Sequence, residues 1–311
     1  MLIAVCSVKG SPGVTTVAVA LALKWPEAES VRRLVAEVDP SGGDLAMRFG
    51  LPTTPGLVSL AAAARRTCNP AVAWEHTQAL PIGARALVAP PGGAHARSAL
   101  STLATAQDTL VLSALAREPG VVVLADCGRV DPGSPAEAIA RCADALLLVT
   151  GSHGDDLAHT AARLGELARW TPRPGLLLTG DGYPTADVER ELGVPAIGRI
   201  PHDPAAAAIL TGRRPPPSRR RGQSGLAHQA AALARTLAGP AASAAAAPPP
   251  TTPGAVPGVP AQQVRYRPGG AVVTPLGPGL PPSCLVPMPW EVSDSHRNGH
   301  QPGTAGKEPP T

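Results

Sequence analysis

Apolar residues come along this chain in short, dense runs separated by alanine- and leucine-rich stretches with helical spacing. Leu2-Ile3-Ala4-Val5, Leu34-Val35-Ala36, Ala86-Leu87-Val88-Ala89, Val121-Val122-Val123-Leu124-Ala125, Leu146-Leu147-Leu148-Val149 and Leu176-Leu177-Leu178 are too short and too unbroken for amphipathic helices, and Ala196 to Ile200 is a last, interrupted strand. Runs of this kind read as strands buried on both faces. Between them, Thr15 to Trp25, Gly56 to Arg66, Pro70 to Leu80, His95 to Glu118, Pro135 to Cys142, Asp155 to Arg169 and Ala186 to Leu192 read as helices. Leu226, Ala230, Leu233 and Leu237 give a last one. Strand and helix alternating from residue 2 to 200 predict an α/β fold, a doubly wound, mostly parallel sheet with helices on both faces. From Pro240 the pattern stops and Pro, Ala and Gly dominate. Such a segment buries too little apolar surface to offset its ordering entropy. The expectation is a domain over 1–239 that folds by itself and a disordered tail over 240–311.

Chemistry enters at the junction of the first strand and the first helix. Cys6-Ser7-Val8-Lys9-Gly10-Ser11-Pro12-Gly13-Val14-Thr15-Thr16 joins them through small residues. Strand, glycine loop, helix is the layout in which backbone N–H groups and a helix N-terminus hold a phosphate. A tight turn between a buried strand and helix would use glycine in the same way. Against G-x-x-x-x-G-K-[ST], Val8 stands at the first glycine and Val14 at the lysine. Thr15 stands at the hydroxyl that ligates magnesium in such loops. Two further strands end on acids, Arg33 to Asp39 and Gly120 to Asp126, the second followed by Cys127-Gly128. In a parallel sheet the ends of these strands and the glycine loop lie on one edge, where ligands bind.

Lys9, four residues before Gly13, makes the loop resemble the deviant Walker A form K-G-G-x-G-K-[ST] of the ParA/MinD family of P-loop ATPases. It is most similar to the CpaE/TadZ branch, in which a small residue often replaces the second lysine. The resemblance implies that Gly10, Ser11, Pro12, Gly13, Val14, Thr15 and Thr16 cradle ATP. It implies that Thr15 and Asp126 hold Mg2+, that Asp39 orients the attacking water, and that Lys9 reaches the phosphates of a partner protomer in a nucleotide-dependent homodimer. Thr179-Gly180-Asp181 stands where the family often carries a base-contacting Asn, and Ile200-Pro201-His202-Asp203 resembles its I-P-x-D turn. Thr179, Pro201 and Asp203 are the expected base contacts. The activity implied is a slow or degenerate ATPase that positions cellular cargo, in partitioning of chromosomes or plasmids, or placement of septum, flagellum or pilus machinery. A non-hydrolysing scaffold of the same fold is the alternative that Val14 favours.

Composition narrows this little further. Aromatics are only 2% of the chain, so Ala, Val and Leu must fill the core. The net charge of +4 is a modest excess, carried by arginine, since Lys9, Lys24 and Lys307 are the only lysines. Arg213, Arg214, Arg219, Arg220 and Arg221 flank a Pro-Pro-Pro and offer a patch for DNA or another anionic surface, with a solvated basic loop as the alternative. The five cysteines are scattered, with no C-x-x-C pair, which argues against a disulfide framework or a zinc site. No run approaches the roughly 20 apolar residues of a membrane helix. The expectation is a cytoplasmic protein, associated at most peripherally with nucleoid or membrane, whose protein cargo or activator is not legible.

Overall fold

The computed structural model describes residues 1–10, 12–26, 29–67, 69–105, 111–214 and 225–239. Among these, eight strands form one sheet. In chain order they are β1 (Leu2–Ser7), β2 (Arg32–Glu37), β3 (Gln78–Ala79), β4 (Arg85–Leu87), β5 (Val121–Arg129), β6 (Ala145–Ser152), β7 (Pro174–Gly182) and β8 (Ala196–Ile200). Their spatial order is β3-β4-β2-β5-β1-β6-β7-β8, and every pairing is parallel except β3 with β4. The predicted fold class, a doubly wound and mostly parallel sheet, is the one observed. The arginines at 219 to 221 and the segment 240–311 lie outside the described residues.

All six residues of β1 are buried because the strand lies mid-sheet with helices on both faces. Its side chains alternate between two apolar layers. Leu2, Ala4 and Cys6 enter one, with Val121, Val123 and Ala125 of β5. Ile3 and Val5 enter the other, with Val122 and Leu124. The first layer is covered by α3 (Leu57–Ala64), α5 (Gly93–Thr105), α6 (Val111–Ala116), α7 (Ala136–Arg141) and α8 (Gly154–Leu167). The second is covered chiefly by α1 (Val14–Lys24) and α11 (Gly225–Ala238). Each fully buried Leu or Val contributes about 1.5–3 kcal/mol, and such residues with Ala make up most of both layers, Trp170 joining the first and Trp25 the second.

Several short pieces depart from the expected pattern. The segment from Pro70 to Leu80 is a single helical turn, α4 (Val72–Glu75), followed by β3 rather than one helix. There the chain turns at Gly83, with φ of +95°, and β3 pairs back on β4. The stretch from His95 to Glu118, where the pattern allows a helix broken near Asp108, holds α5 and α6. Helices α2 (Leu45–Phe49) and α10 (Pro204–Leu210) were not anticipated, being too short to show a period. Between β7 and β8 lies α9 (Thr185–Leu192), as expected.

Strand order also locates the ligand edge. From β1 the chain goes to one side of the sheet through β2, β4 and β5, then to the other side through β6, β7 and β8. The reversal occurs at β1, flanked by β5 and β6, and the crevice beyond the carboxyl ends of such strands is where open α/β sheets bind ligands.

Candidate functional site

The loop after β1 ends at Gly13, whose φ of +96° is left-handed and open to glycine at little cost. Gly13 is the N-cap of α1; among the described residues no side chain caps this helix, and its first turn carries no acid. A Cβ at Gly10 or Gly13 would meet nothing within 4 Å. The N–H groups of the first turn are therefore left for an anion, in line with the helix dipole. Gly10 is exposed and Pro12, Thr15 and Thr16 are half-buried, whereas Val14 is 6% exposed and packs into the α1 side of the core. Ser11 lies outside the described residues.

Directly in front of α1 stands Asp126, near the end of β5. Register places it beside Val5 of β1 and Glu37 of β2. It is 2% exposed and accepts a hydrogen bond from the Gly128 N–H at 3.2 Å, with the Thr15 hydroxyl near enough to favour its charged form. Burial nevertheless pushes its carboxyl up to about 6, against the opposing pull of the Thr15 hydroxyl, and the charge of Asp39 adds to the rise.

Asp39 follows β2 on a turn in which Ser41 N–H donates to its carboxylate at 2.7 Å and Gly42 N–H to its carbonyl at 3.0 Å. Its carboxylate lies against the backbone of Gly128, where a Cβ would come within 1.8 Å of Oδ2. Gly128 itself has a φ of +57°. Partial burial raises the Asp39 carboxyl, with the charge of Asp44 adding to it. Thr15, Asp39 and Asp126, spread over more than a hundred positions of sequence, thus converge at one end of β5.

Lys9 takes a different direction. Its ammonium pairs with Asp155 and, at 3.5 Å, with Asp156, both in the first turn of α8 of the same chain. The hydrogen bond to Asp155 holds the Lys9 pKa up and the Asp155 pKa down. The residues expected at the base are spread along the far strands. The Thr179 hydroxyl donates to the Thr150 carbonyl at 3.2 Å. Pro201 packs near Gly225, whose Cβ would lie 3.1 Å from Pro201 Cγ. Asp203 caps α10, accepting from the Ala206 N–H at 3.0 Å. These contacts account locally for all three. Arg213 and Arg214 are exposed after α10.

Sequence reasoning passed over Glu37. The sequence pattern carries the strand to Asp39 and gives the acid two positions earlier no role of its own. It is 2% exposed, and burial pushes its carboxyl up to about 7. The available signal was an acid between Ala36 and Val38 in an otherwise apolar strand.

An Mg2+–nucleotide fits this arrangement. Among the described residues no group of three or more His, Cys, Asp and Glu side chains could cage a metal by itself. Magnesium characteristically takes one or two protein oxygens and completes its shell with phosphate and water. Thr15 and Asp126 supply that number, and crowded carboxyls with raised pKa values gain most from a nearby cation.

No family model matches the chain, and no curated protein does. Solved structures do resemble it in fold. A ParA family ATPase from Chlorobium tepidum aligns with TM-score 0.59 and 16% identity over 75% of this chain and 98% of its own. The cell division ATPase MinD from Pyrococcus furiosus aligns with TM-score 0.58 and 20% identity over 76% and 97%. The septum site-determining protein MinD from Pyrococcus horikoshii, complexed with Mg-ADP, gives 0.58 and 18% over 76% and 95%. The sheet order, the glycine loop before α1 and the strand-end acids therefore sit on a fold shared with ParA and MinD ATPases over nearly their full length.

Proposed function

We propose that the chain is a ParA/MinD-like nucleotide-binding protein that takes ATP with Mg2+ at the carboxyl edge of β1 and β5. The carrying observation is the buried Asp126 carboxylate, whose charged form the Thr15 hydroxyl favours, at an α1 N-terminus that no side chain caps. In this reading Gly10, Ser11, Pro12, Gly13, Val14, Thr15 and Thr16 offer backbone N–H groups to the phosphates, except Pro12, which has none. Thr15 and Asp126 are the protein's ligands for magnesium, which when bound neutralises charge on the phosphates. Asp39, held at Gly128 with a raised pKa, accepts a hydrogen bond from the attacking water and orients it. Lys9 leaves Asp155 and Asp156 and reaches the phosphates of a second copy of the chain, which ties turnover to dimerisation.

Turnover is slow, because Val14 supplies an N–H but no charge at the position where P-loops carry lysine. The dimer positions cellular cargo through an activator or adaptor protein, with Arg213, Arg214, Arg219, Arg220 and Arg221 as its contact to DNA or another anionic surface. A Pyrococcus horikoshii relative in fold carries Mg-ADP, and an Aquifex aeolicus MinD forms a complex with MinC. No helix among the described residues is long and apolar enough to cross a membrane, which fits peripheral association.

A non-hydrolysing scaffold is the second reading. It is favoured by the burial of Val14 in the core and by the engagement of Lys9 within its own chain. Titration with ATP, with and without Mg2+, followed by a turnover assay, separates the two. Binding that needs Mg2+, with slow turnover lost in Lys9→Ala while monomer binding persists, supports the ATPase. No binding at millimolar ATP, unrestored by Val14→Lys, leaves the scaffold.

A further inference from the structure

Glu37 is one of the few charged side chains in the core, and no step above uses it. Its Oε1 accepts from the N–H groups of Asp44, at 2.8 Å, and Leu45, at 2.9 Å. Its Oε2 accepts from the Ala89 N–H at 2.9 Å. These donors belong to two segments: Asp44 and Leu45 open α2 at the far end of the Asp39 loop, and Ala89 follows β4. A buried carboxylate is retained only where donors replace its water, and here backbone amides do so.

The loop it grips is closely fitted. A Cβ at Gly43 would lie 2.3 Å from Glu37 Oε2, and Gly43 N–H donates to the Pro90 carbonyl at 3.1 Å. Gly42, with φ of +106°, bridges to Pro91, and its own Cβ would come 2.6 Å from the Gly92 nitrogen. The far end of the loop is thus fixed on Glu37 and the Pro90–Gly92 turn. Its near end is Asp39, whose carboxylate rests on Gly128.

We infer that Glu37 is a positioning residue: through the amides of Asp44, Leu45 and Ala89 it locks the Asp39 loop, and so sets where the Asp39 carboxylate stands relative to Asp126. The role assigned to Asp39 rests on the ATPase reading; the locking of the loop does not. Chemistry grades the substitutions. Gln keeps one acceptor oxygen, which suits the Asp44 and Leu45 pair, but turns an NH2 toward the Ala89 N–H, donor against donor. Ala leaves all three N–H groups without an acceptor.

The test is hydrogen exchange on the full chain as wild type, Glu37→Gln and Glu37→Ala, with ATP affinity and steady-state turnover measured on the same proteins. In Glu37→Ala the amides of Asp44, Leu45 and Ala89 exchange about tenfold faster or more, while β1 and β5 keep their protection. In Glu37→Gln only Ala89 does so. Displacement of Asp39 by an ångström lowers kcat on the order of ten- to a hundredfold in the Ala variant, with partial rescue in Gln and ATP affinity within about twofold of wild type. Unchanged exchange at the three amides, faster exchange spread over the whole sheet, or affinity lost in step with kcat overturns the inference. If Glu37→Ala does not fold, Glu37→Gln decides: an undisturbed Ala89 amide with full turnover refutes it. A wild type that binds no nucleotide defeats the ATPase reading by itself, and the exchange pattern then judges the lock alone.

Discussion

Replacing Gly128 by alanine probes the contact on which the site depends. Two costs follow from the geometry. The backbone at Gly128 is left-handed, with φ of +57°, which costs an L-residue roughly 1–2 kcal/mol. The new Cβ would also stand 1.8 Å from Oδ2, 2.2 Å from Cγ and 2.9 Å from Cβ of Asp39. Asp39 must therefore swing away, giving up the Ser41 N–H at 2.7 Å, a bond to a charged group in a half-buried setting worth about 1–2 kcal/mol. The total is about 2–4 kcal/mol, or roughly 4–16 °C in melting temperature for a domain of this size. In an Asp39→Ala background the two carboxyl contacts are gone, and Gly128→Ala should cost the backbone strain and the adjustment of the one contact left, to the Cβ of residue 39 at 2.9 Å. A double-mutant cycle by chemical denaturation should give a coupling of about 1–2 kcal/mol, with turnover lost in both single variants. Equal cost of Gly128→Ala in both backgrounds would show that Asp39 does not rest on Gly128, and the proposed placement of Asp39 would fall with it.

Val14→Lys should tighten ATP binding about tenfold or more, by a charge-assisted bond to phosphate. It should also cost roughly 1–2 kcal/mol of stability for the buried valine it removes; unchanged affinity by titration calorimetry would refute a phosphate-facing position. Glu37 and Asp126, raised by burial to about 7 and about 6 from ordinary values of 4.5 and 3.8, bind protons more readily in the folded than in the unfolded chain. Their contribution is therefore present at acid pH and lost as pH rises from about 4 to about 7, by about 3 kcal/mol for Glu37 alone. Denaturation at pH 5 and pH 8 should show the fall in wild type and a smaller one in Glu37→Gln; stability rising with pH across that window would contradict the assignment. Asp155→Asn combined with Asp156→Asn releases Lys9 from its own chain and should raise the dimer fraction with ATP in sedimentation velocity, whereas a lower fraction would make those acids part of the interface.

Much of the fold was readable because buried parallel strands leave unbroken apolar runs. Leu2 to Val5, Val121 to Ala125 and Leu146 to Val149 need no partner to be identified, since both faces of a central strand must be apolar. The same reasoning failed at α2, α10 and β3, which are shorter than any period and exist only because neighbouring chain holds them. Within the candidate site, the glycine loop and the strand-end acids Asp39 and Asp126 were legible from residue type and position after a strand. Local sequence alone could not decide which groups meet. Strand order puts β1 between β5 and β6, and this brings Thr15 to Asp126 and Asp39 to Gly128 across more than eighty residues. The directions taken by Lys9, toward Asp155 and Asp156, and by Asp203, into the cap of α10, depend on helices far along the chain or on local turn geometry. Glu37 shows the difference most clearly. In sequence it is an acid near the end of a strand; burial and the neighbouring Asp126 oppose a charge there, and only the amides of Asp44, Leu45 and Ala89 gathered round it make one tolerable. Apolar patterning is set residue by residue through contact with water, whereas the environment of a buried charge is set by segments that folding brings together.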